Sequence, residues 1–394
     1  MTALFIDQAA REFSKLAQRE RLLPVHVTPR YRRLVEEEVG VLGDTTGPLY
    51  KVAYSTPERV RVRAPREVKD FVQDEDNMLP GLEGVAIQKY EDRLLILTTD
   101  KCAGHCQYCF RQDVLTGQQD RALPTLQVRV DRIVRHLRRH PKIREVIFSG
   151  GDPLCVPYEH LEVFLRRVRN ETSVPHIRVH TRNAVYAPEV FTEQMCSLLG
   201  NCDVRLVLHI VHPYELDQET CGAIRQARSH GVRCYAQFPV LRGINDHPLV
   251  LLRLLEALDD LRVRPISLFI PDPINYSASF RVPLARLFSI VNDLNWHTPA
   301  WINAVRLVLD TSIGKVRKED IVHWDREREL VTFERDGKQI VYPDFPQELD
   351  VPGCISRLLW KSSEGEREMV GTVKIPALET MEILGADVVT PSGL

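Results

Sequence analysis

The sequence predicts an α/β fold: a partial (β/α)6-type barrel with a helical N-terminal region and a small C-terminal extension. Three observations predict it. Apolar runs of strand length recur at Arg93–Thr98, Glu145–Ser149, Ile177–His180, Val204–Ile210, Cys234–Val240, Ile266–Ile270 and Ala304–Leu309. Amphipathic stretches of helical period separate them, as at Thr125–Arg139, His160–Arg169, Pro188–Leu199 and Pro248–Leu261. The segments richest in reactive side chains each follow one of the runs. Such alternation means βαβ units and a parallel sheet. Seven runs are too many for a small open sheet and suit a barrel or partial barrel, where the active site gathers at the C-terminal strand ends.

With 394 residues the chain can bury a large core and divides into residues 1–88, mainly helical, 89–318, the barrel, and 319–394, the extension. Pro24, Pro29, Pro57 and Pro65 are expected to break the helices of the first region. Glu36-Glu37-Glu38 is expected to be a solvated face. A hairpin is expected around Asp336-Gly337, and Glu364–Glu366 and Thr390–Gly393 in the tail are expected at the surface. The formal net charge of -2 gives no electrostatic case for nucleic acid or an anionic membrane. No apolar run is long enough to cross a membrane. The N-terminus lacks the pattern of a signal peptide. Nine cysteines without one fit a reducing cytoplasm.

The chemistry begins after the first run. Cys102, Cys106 and Cys109 form a C-x₃-C-x₂-C array within Thr99–Arg111. Three thiolates on one loop can hold three irons of a [4Fe–4S] cube and leave the fourth iron open to an exogenous ligand. The alternatives are a zinc site, which wants four ligands, or three unrelated thiols. The second run ends in Ser149-Gly150-Gly151-Asp152, where two glycines permit close approach to the backbone and Asp152 offers an acceptor for an ammonium group. His209-x-x-His212 could ligate metal, but residues i and i+3 on a strand face opposite ways, so a polar lining is expected instead. Lys315 follows the last run on a Gly-containing loop. Such a lysine can hold pyridoxal phosphate (PLP) covalently, although by position alone an ordinary surface lysine is the default reading.

In this order the motifs resemble the lysine 2,3-aminomutase family of PLP-dependent radical S-adenosylmethionine (SAM) enzymes. The resemblance runs from about Leu79 to Lys315. It includes Pro80-Gly81-Leu82, Tyr90-x-x-Arg93, the three cysteines with Arg111, Ser149–Asp152, Arg182, His209-x-x-His212-Pro213, Leu241–Asp246, Asp272 and Lys315. Phe110-Arg111 and Phe148–Leu154 also resemble the branch that acts on a lysine of translation elongation factor P. The resemblance implies a [4Fe–4S] cluster on Cys102, Cys106 and Cys109, with SAM bound at Ser149, Gly150, Gly151 and Asp152. It implies PLP held by Lys315, with Lys89, Tyr90, Arg93 and Arg182 around it. It also implies a substrate clamped by Arg111 at its carboxylate and by Asp272 and Asp310 at a distal ammonium. The implied reaction is transfer of the α-amino group to the β-carbon, with free lysine as first substrate, and arginine or a protein-bound lysine, or a PLP-independent radical SAM reaction, as alternatives. Lys318 is the alternative PLP lysine, because the Asp310–Lys315 loop has one glycine and is shorter than the family's. Only Cys354 remains in the C-terminal region, so no structural zinc is expected. The expected partners are a small-molecule amino acid, a reductant such as flavodoxin or ferredoxin and, as an open alternative, a second copy in a homo-oligomer.

Overall fold

The computed structural model describes residues 11–361 apart from 12, 21 and 119–123. Its main sheet has eight strands paired in chain order: β1 (Ala86–Tyr90), β2 (Arg93–Thr99), β3 (Glu145–Gly150), β4 (His176–Thr181), β5 (Val204–Leu208), β6 (Arg233–Pro239), β7 (Arg264–Phe269) and β8 (Arg306–Val308). From β2 to β8 every pairing is parallel. The sheet is open, with β1 and β8 as its edges, so it is the partial barrel expected and not a closed one. The edge strand β1 was not expected. Gln88, Lys89 and Tyr90 lack an apolar run, and they extend because β2 offers them a free edge, with Ile87 antiparallel to Leu95.

Alternation within the strands explains the curvature and the site. Val146, Phe148, Ile177, Val179, Leu206, Leu208, Ala236 and Phe238 are fully buried on the helix-covered face. Their neighbours Arg178, His180, Tyr235 and Gln237 are only partly buried and line the other face. A concave surface this polar is costly to close upon itself, which suits it to polar ligands.

The N-terminal helices correct two expectations. Pro29, Pro48 and Pro57 open α1 (Pro29–Leu42), α2 (Pro48–Ala53) and α3 (Pro57–Arg61) rather than breaking them. A first-turn proline loses no helical hydrogen bond, and Thr28 caps α1 by accepting from the Tyr31 N–H at 3.2 Å. Glu38 is not solvated. It is fully buried and accepts from the Leu49 and Tyr50 N–H groups at 2.9 and 2.7 Å and from Trp360 Nε1 at 3.0 Å. Its carboxyl thus satisfies the orphan donors of α2 and ties α1 to the end of the domain. A Cβ on Gly47 would lie 2.2 Å from Glu38 Cδ, so that position admits only glycine.

Burial pushes the Glu38 carboxyl up to about 7, against its three hydrogen bonds. The folded state therefore holds a proton that the unfolded chain releases near 4.5, and stability falls as pH rises from about 4.5 to about 7. Glu38→Gln is expected to flatten denaturant midpoints across that window. An unchanged slope would contradict this.

The same region braces the cysteine loop. Gln107 N–H donates to Val52 O at 2.8 Å, Gln107 Nε2 to Ala53 O at 3.2 Å, and His105 N–H to His26 O at 2.8 Å. Beyond the main sheet, β9 (Ile321–Asp325), β10 (Leu330–Arg335) and β11 (Lys338–Pro343) form an antiparallel meander. Its Asp336-Gly337 turn has φ of 52° and 73°, the double positive φ of the tight hairpin expected there. The expectations for Glu364–Glu366 and Thr390–Gly393 lie outside the described residues.

Candidate active site

Cys102, Cys106 and Cys109 occupy the loop leaving β2, each free and partly buried. Burial raises all three thiols. Cys109 is pushed up to about 12, Cys106's charge adding to burial, and Cys102 rises further with Asp152 and both other thiols acting on it. The three sulfurs therefore lie close enough to repel one another as thiolates. Cations offset that repulsion: Arg182 acts on Cys106, and Arg111 and Arg59 act on Cys109. Among the described residues no three His, Cys, Asp or Glu side chains converge as ligands of one ion would. A cube instead takes each thiolate on its own iron, and this donor set fits one.

The glycines after β3 do a different job from the one expected. A Cβ on Gly151 would lie 2.2 Å from Lys101 O, and one on Gly150, at φ 101°, would lie 2.7 Å from Thr99 O. What approaches them is the chain's own cysteine loop, with Gly151 N–H donating to Thr99 O at 2.6 Å and Asp152 N–H to Lys101 O at 2.8 Å. Asp152 is also engaged internally. Its carboxylate accepts from Leu154 N–H at 3.0 Å, Thr181 Oγ1 at 2.9 Å and Arg182 N–H at 2.7 Å. These bonds knit β3 to β4. Ser149 is buried and accepts from Arg111 Nη1 at 3.1 Å.

Arg182 is bonded on the side of the cysteine loop. Its guanidinium is buried against Glu215 Oε1 at 2.5 Å and donates to His209 O at 2.9 Å. It therefore belongs to the cysteine-loop group, not to Lys315. Its partner Glu215 also accepts from Tyr31 Oη and Val211 N–H, both at 2.9 Å. The cations whose charge acts on Lys315 are Arg178 and Arg93.

Lys315 lies on a loop closed by the Leu309–Val316 pair, with both backbone bonds at 2.9 Å. Gly314, at φ 101°, packs on the Tyr90 ring, and Tyr90 Oη accepts from Lys315 N–H at 3.0 Å. The Lys315 Nζ sits 4.6 Å from the centroid of Phe269. Burial lowers its pKa, opposed by the charge of Asp310. Lys318, by contrast, is exposed and stacks 5.3 Å from Phe288. Arg93 lies over Tyr90 at 4.6 Å and pairs with Asp92 at 3.2 Å.

A residue missed in the sequence organises the rest. Asp74 is buried and bridges Arg111 Nε at 2.8 Å and Lys89 Nζ at 3.2 Å. These cations hold its carboxyl below the usual range despite burial. Lys89 thus lies among acids. Asp272 stands nearby. Burial and the charge of Asp310 raise its carboxyl well above the usual range, opposed by Lys89. Asp310 in turn acts on Tyr90, Arg111 and Lys315. The structure therefore brings Arg111, Asp272, Asp310 and Lys315 into one electrostatic group.

His209 and His212 do not converge. His209 Nε2 lies 3.0 Å from Tyr108 Oη, and burial lowers its ring to about 3. His212 Nδ1 accepts from Tyr214 N–H at 3.2 Å. The Leu241–Asp246 motif is architectural, with Arg242 Nη2 donating to Ala278 O at 3.0 Å and Asn245 Nδ2 to Val211 O at 2.8 Å.

Residues 96–255 match the radical SAM superfamily, whose members use a [4Fe–4S] cluster and SAM. The chain is 30% identical over 298 residues to the L-lysine 2,3-aminomutase of Fusobacterium nucleatum, covering 75% of this chain and 67% of that protein. It is 30% identical to the L-lysine 2,3-aminomutase of Clostridium subterminale, covering 75% and 69%. A radical SAM methyltransferase from Sphaerobacter thermophilus, 21% identical, superposes with a TM-score of 0.41 over 57% of this chain and 68% of that one. On these matches the chain belongs to the lysine 2,3-aminomutase family of radical SAM enzymes.

Proposed function

We propose that this protein is a PLP-dependent amino-acid 2,3-aminomutase that moves an α-amino group to the β-carbon, with L-lysine as its substrate and β-lysine as the product. One observation carries the reading: the partly buried Lys315 amine, on the loop after β8, feels the charge of Asp310, which also acts on Arg111 and Asp272. When bound, the cluster and SAM supply a radical that abstracts hydrogen, and PLP supplies the π system through which nitrogen migrates.

The chain's own residues position and select. Burial leaves more of Lys315 as free amine, the form that attacks a carbonyl. Phe269 beneath it and Tyr90 at its backbone fix the direction of approach. Asp74 holds Arg111 through Nε, and Ser149 holds Nη1, so the Nη2 edge is aimed and free of both bonds. A bidentate guanidinium edge suits a carboxylate. Asp272 and Asp310 repel one another, and an entering ammonium or guanidinium relieves that repulsion, whereas a neutral or acidic side chain does not. The free cysteines fit work in a reducing cytoplasm, with a flavodoxin or ferredoxin as electron donor.

The test uses Asp272→Asn with lysine, arginine and a lysyl peptide as substrates. Removing one partner of a buried pair costs about 2 kcal/mol or more, so kcat/KM for the true cationic substrate is expected to fall by about 30-fold or more. Unchanged turnover would remove the clamp.

A further inference from the structure

His180 stands on the inner face of β4, in register with Val207 of β5. Its Nε2 is buried and makes no hydrogen bond. The charges acting on its ring are those of Arg178, Arg111 and Lys315, with the His209 imidazole beside them. Burial and these cations together hold the ring well below its ordinary pKa, so it stays neutral and carries one N–H. A buried nitrogen without a partner is costly unless a ligand completes it, and cations on this scale select an anion.

Two of the neighbours are already committed. Arg178 is paired with Glu145, with Nε donating to Oε1 at 3.0 Å and Nη2 to Oε2. His209 is bonded to Tyr108. Arg111 keeps its Nη2 edge outside its bonds to Asp74 and Ser149. Of the two cations that remain, Lys315 is the residue read above as the PLP lysine, so the open anion position lies toward Arg111. We propose that His180 Nε2–H donates to the carboxylate of the amino-acid substrate beside Arg111, making His180 a specificity-determining residue that selects a carboxylate over an amide. The proposal rests on the reading that an amino acid occupies this site, and it extends that reading to a residue outside the expected clamp.

The test is calorimetric titration of the cluster-reconstituted protein with L-lysine, L-arginine and L-lysinamide. His180→Asn places its amide where Nδ1 stood and leaves the Nε2 position empty. It is expected to weaken lysine and arginine by about 10- to 100-fold while leaving lysinamide within about threefold. His180→Gln, whose amide reaches the Nε2 position, is expected to recover most of the loss. A structural role would weaken lysine and lysinamide alike. Equal weakening, no change, or no binding of either amino acid to the parent protein would each overturn the proposal. Should His180→Asn fail to hold iron, His180→Met gives the same comparison with bulk and no donor. Pyridoxyl labelling of Lys315 is scored separately. Labelling without carboxylate selectivity at His180 sinks this inference alone. Selectivity without labelling sinks the PLP reading alone.

Discussion

Cys106→Ser is expected to emerge from anaerobic reconstitution with most of its iron gone and turnover reduced at least about 10³-fold. The sulfur lies 3.7 Å from Tyr186 Oη and within the field of the buried Arg182–Glu215 pair, in a loop whose backbone is pinned by Gln107 and His105. A serine hydroxyl there is a harder and far weaker acid than a thiol, and burial would hold it protonated, so it offers iron no anion. Cys155 is the control. It accepts from Asn183 Nδ2 at 3.3 Å, and its charge acts on Cys102, yet it lies outside the array. Cys155→Ser is expected to retain its iron. Iron and sulfide content with the visible spectrum decide the matter, and full iron in Cys106→Ser would contradict the cluster assignment.

Lys315→Ala is expected to abolish turnover, by about 10³-fold or more, while leaving iron content unchanged, because Lys315 sits with β8 and not with the cysteine loop. The contrast is Lys318→Ala. That side chain is exposed over Phe288, so its loss should change turnover by less than about twofold. Residual turnover in Lys315→Ala that free amines restore would strengthen the assignment. The reverse pattern, with Lys318 essential and Lys315 dispensable, would move the site.

The parts of this molecule legible in the sequence are those set by local pattern. Strands β2 to β8 follow from apolar runs, because one face of β2 to β6 is buried and β7 and β8 bury Leu268 and Val308. The helix Leu126–Arg139 follows from its period and from Thr125, whose hydroxyl caps it. The cysteine loop follows from spacing alone. Partnership across the fold was not legible. Asp74 sits in Val72-Gln73-Asp74, which carries no motif, and its partners stand 15 and 37 residues away. Glu38 looks like one of three solvated glutamates until Gly47, Leu49 and Trp360 close over it. Arg182 stands at the end of a strand run, but its pairing with Glu215 depends on how the turn after β5 folds. Gly150 and Gly151 announced a close approach without saying to what. His180 gave no signal beyond its place at a strand end, since an unpartnered nitrogen is visible only once the neighbours are placed.

The most direct test of the central claim is borohydride trapping on protein purified without oxygen and reconstituted with iron, sulfide and PLP, followed by peptide mapping. The geometry predicts one pyridoxyl mass, on Lys315, that lysine added before reduction diminishes. An intact cluster with no specific label, or with the label on Lys318, would contradict it.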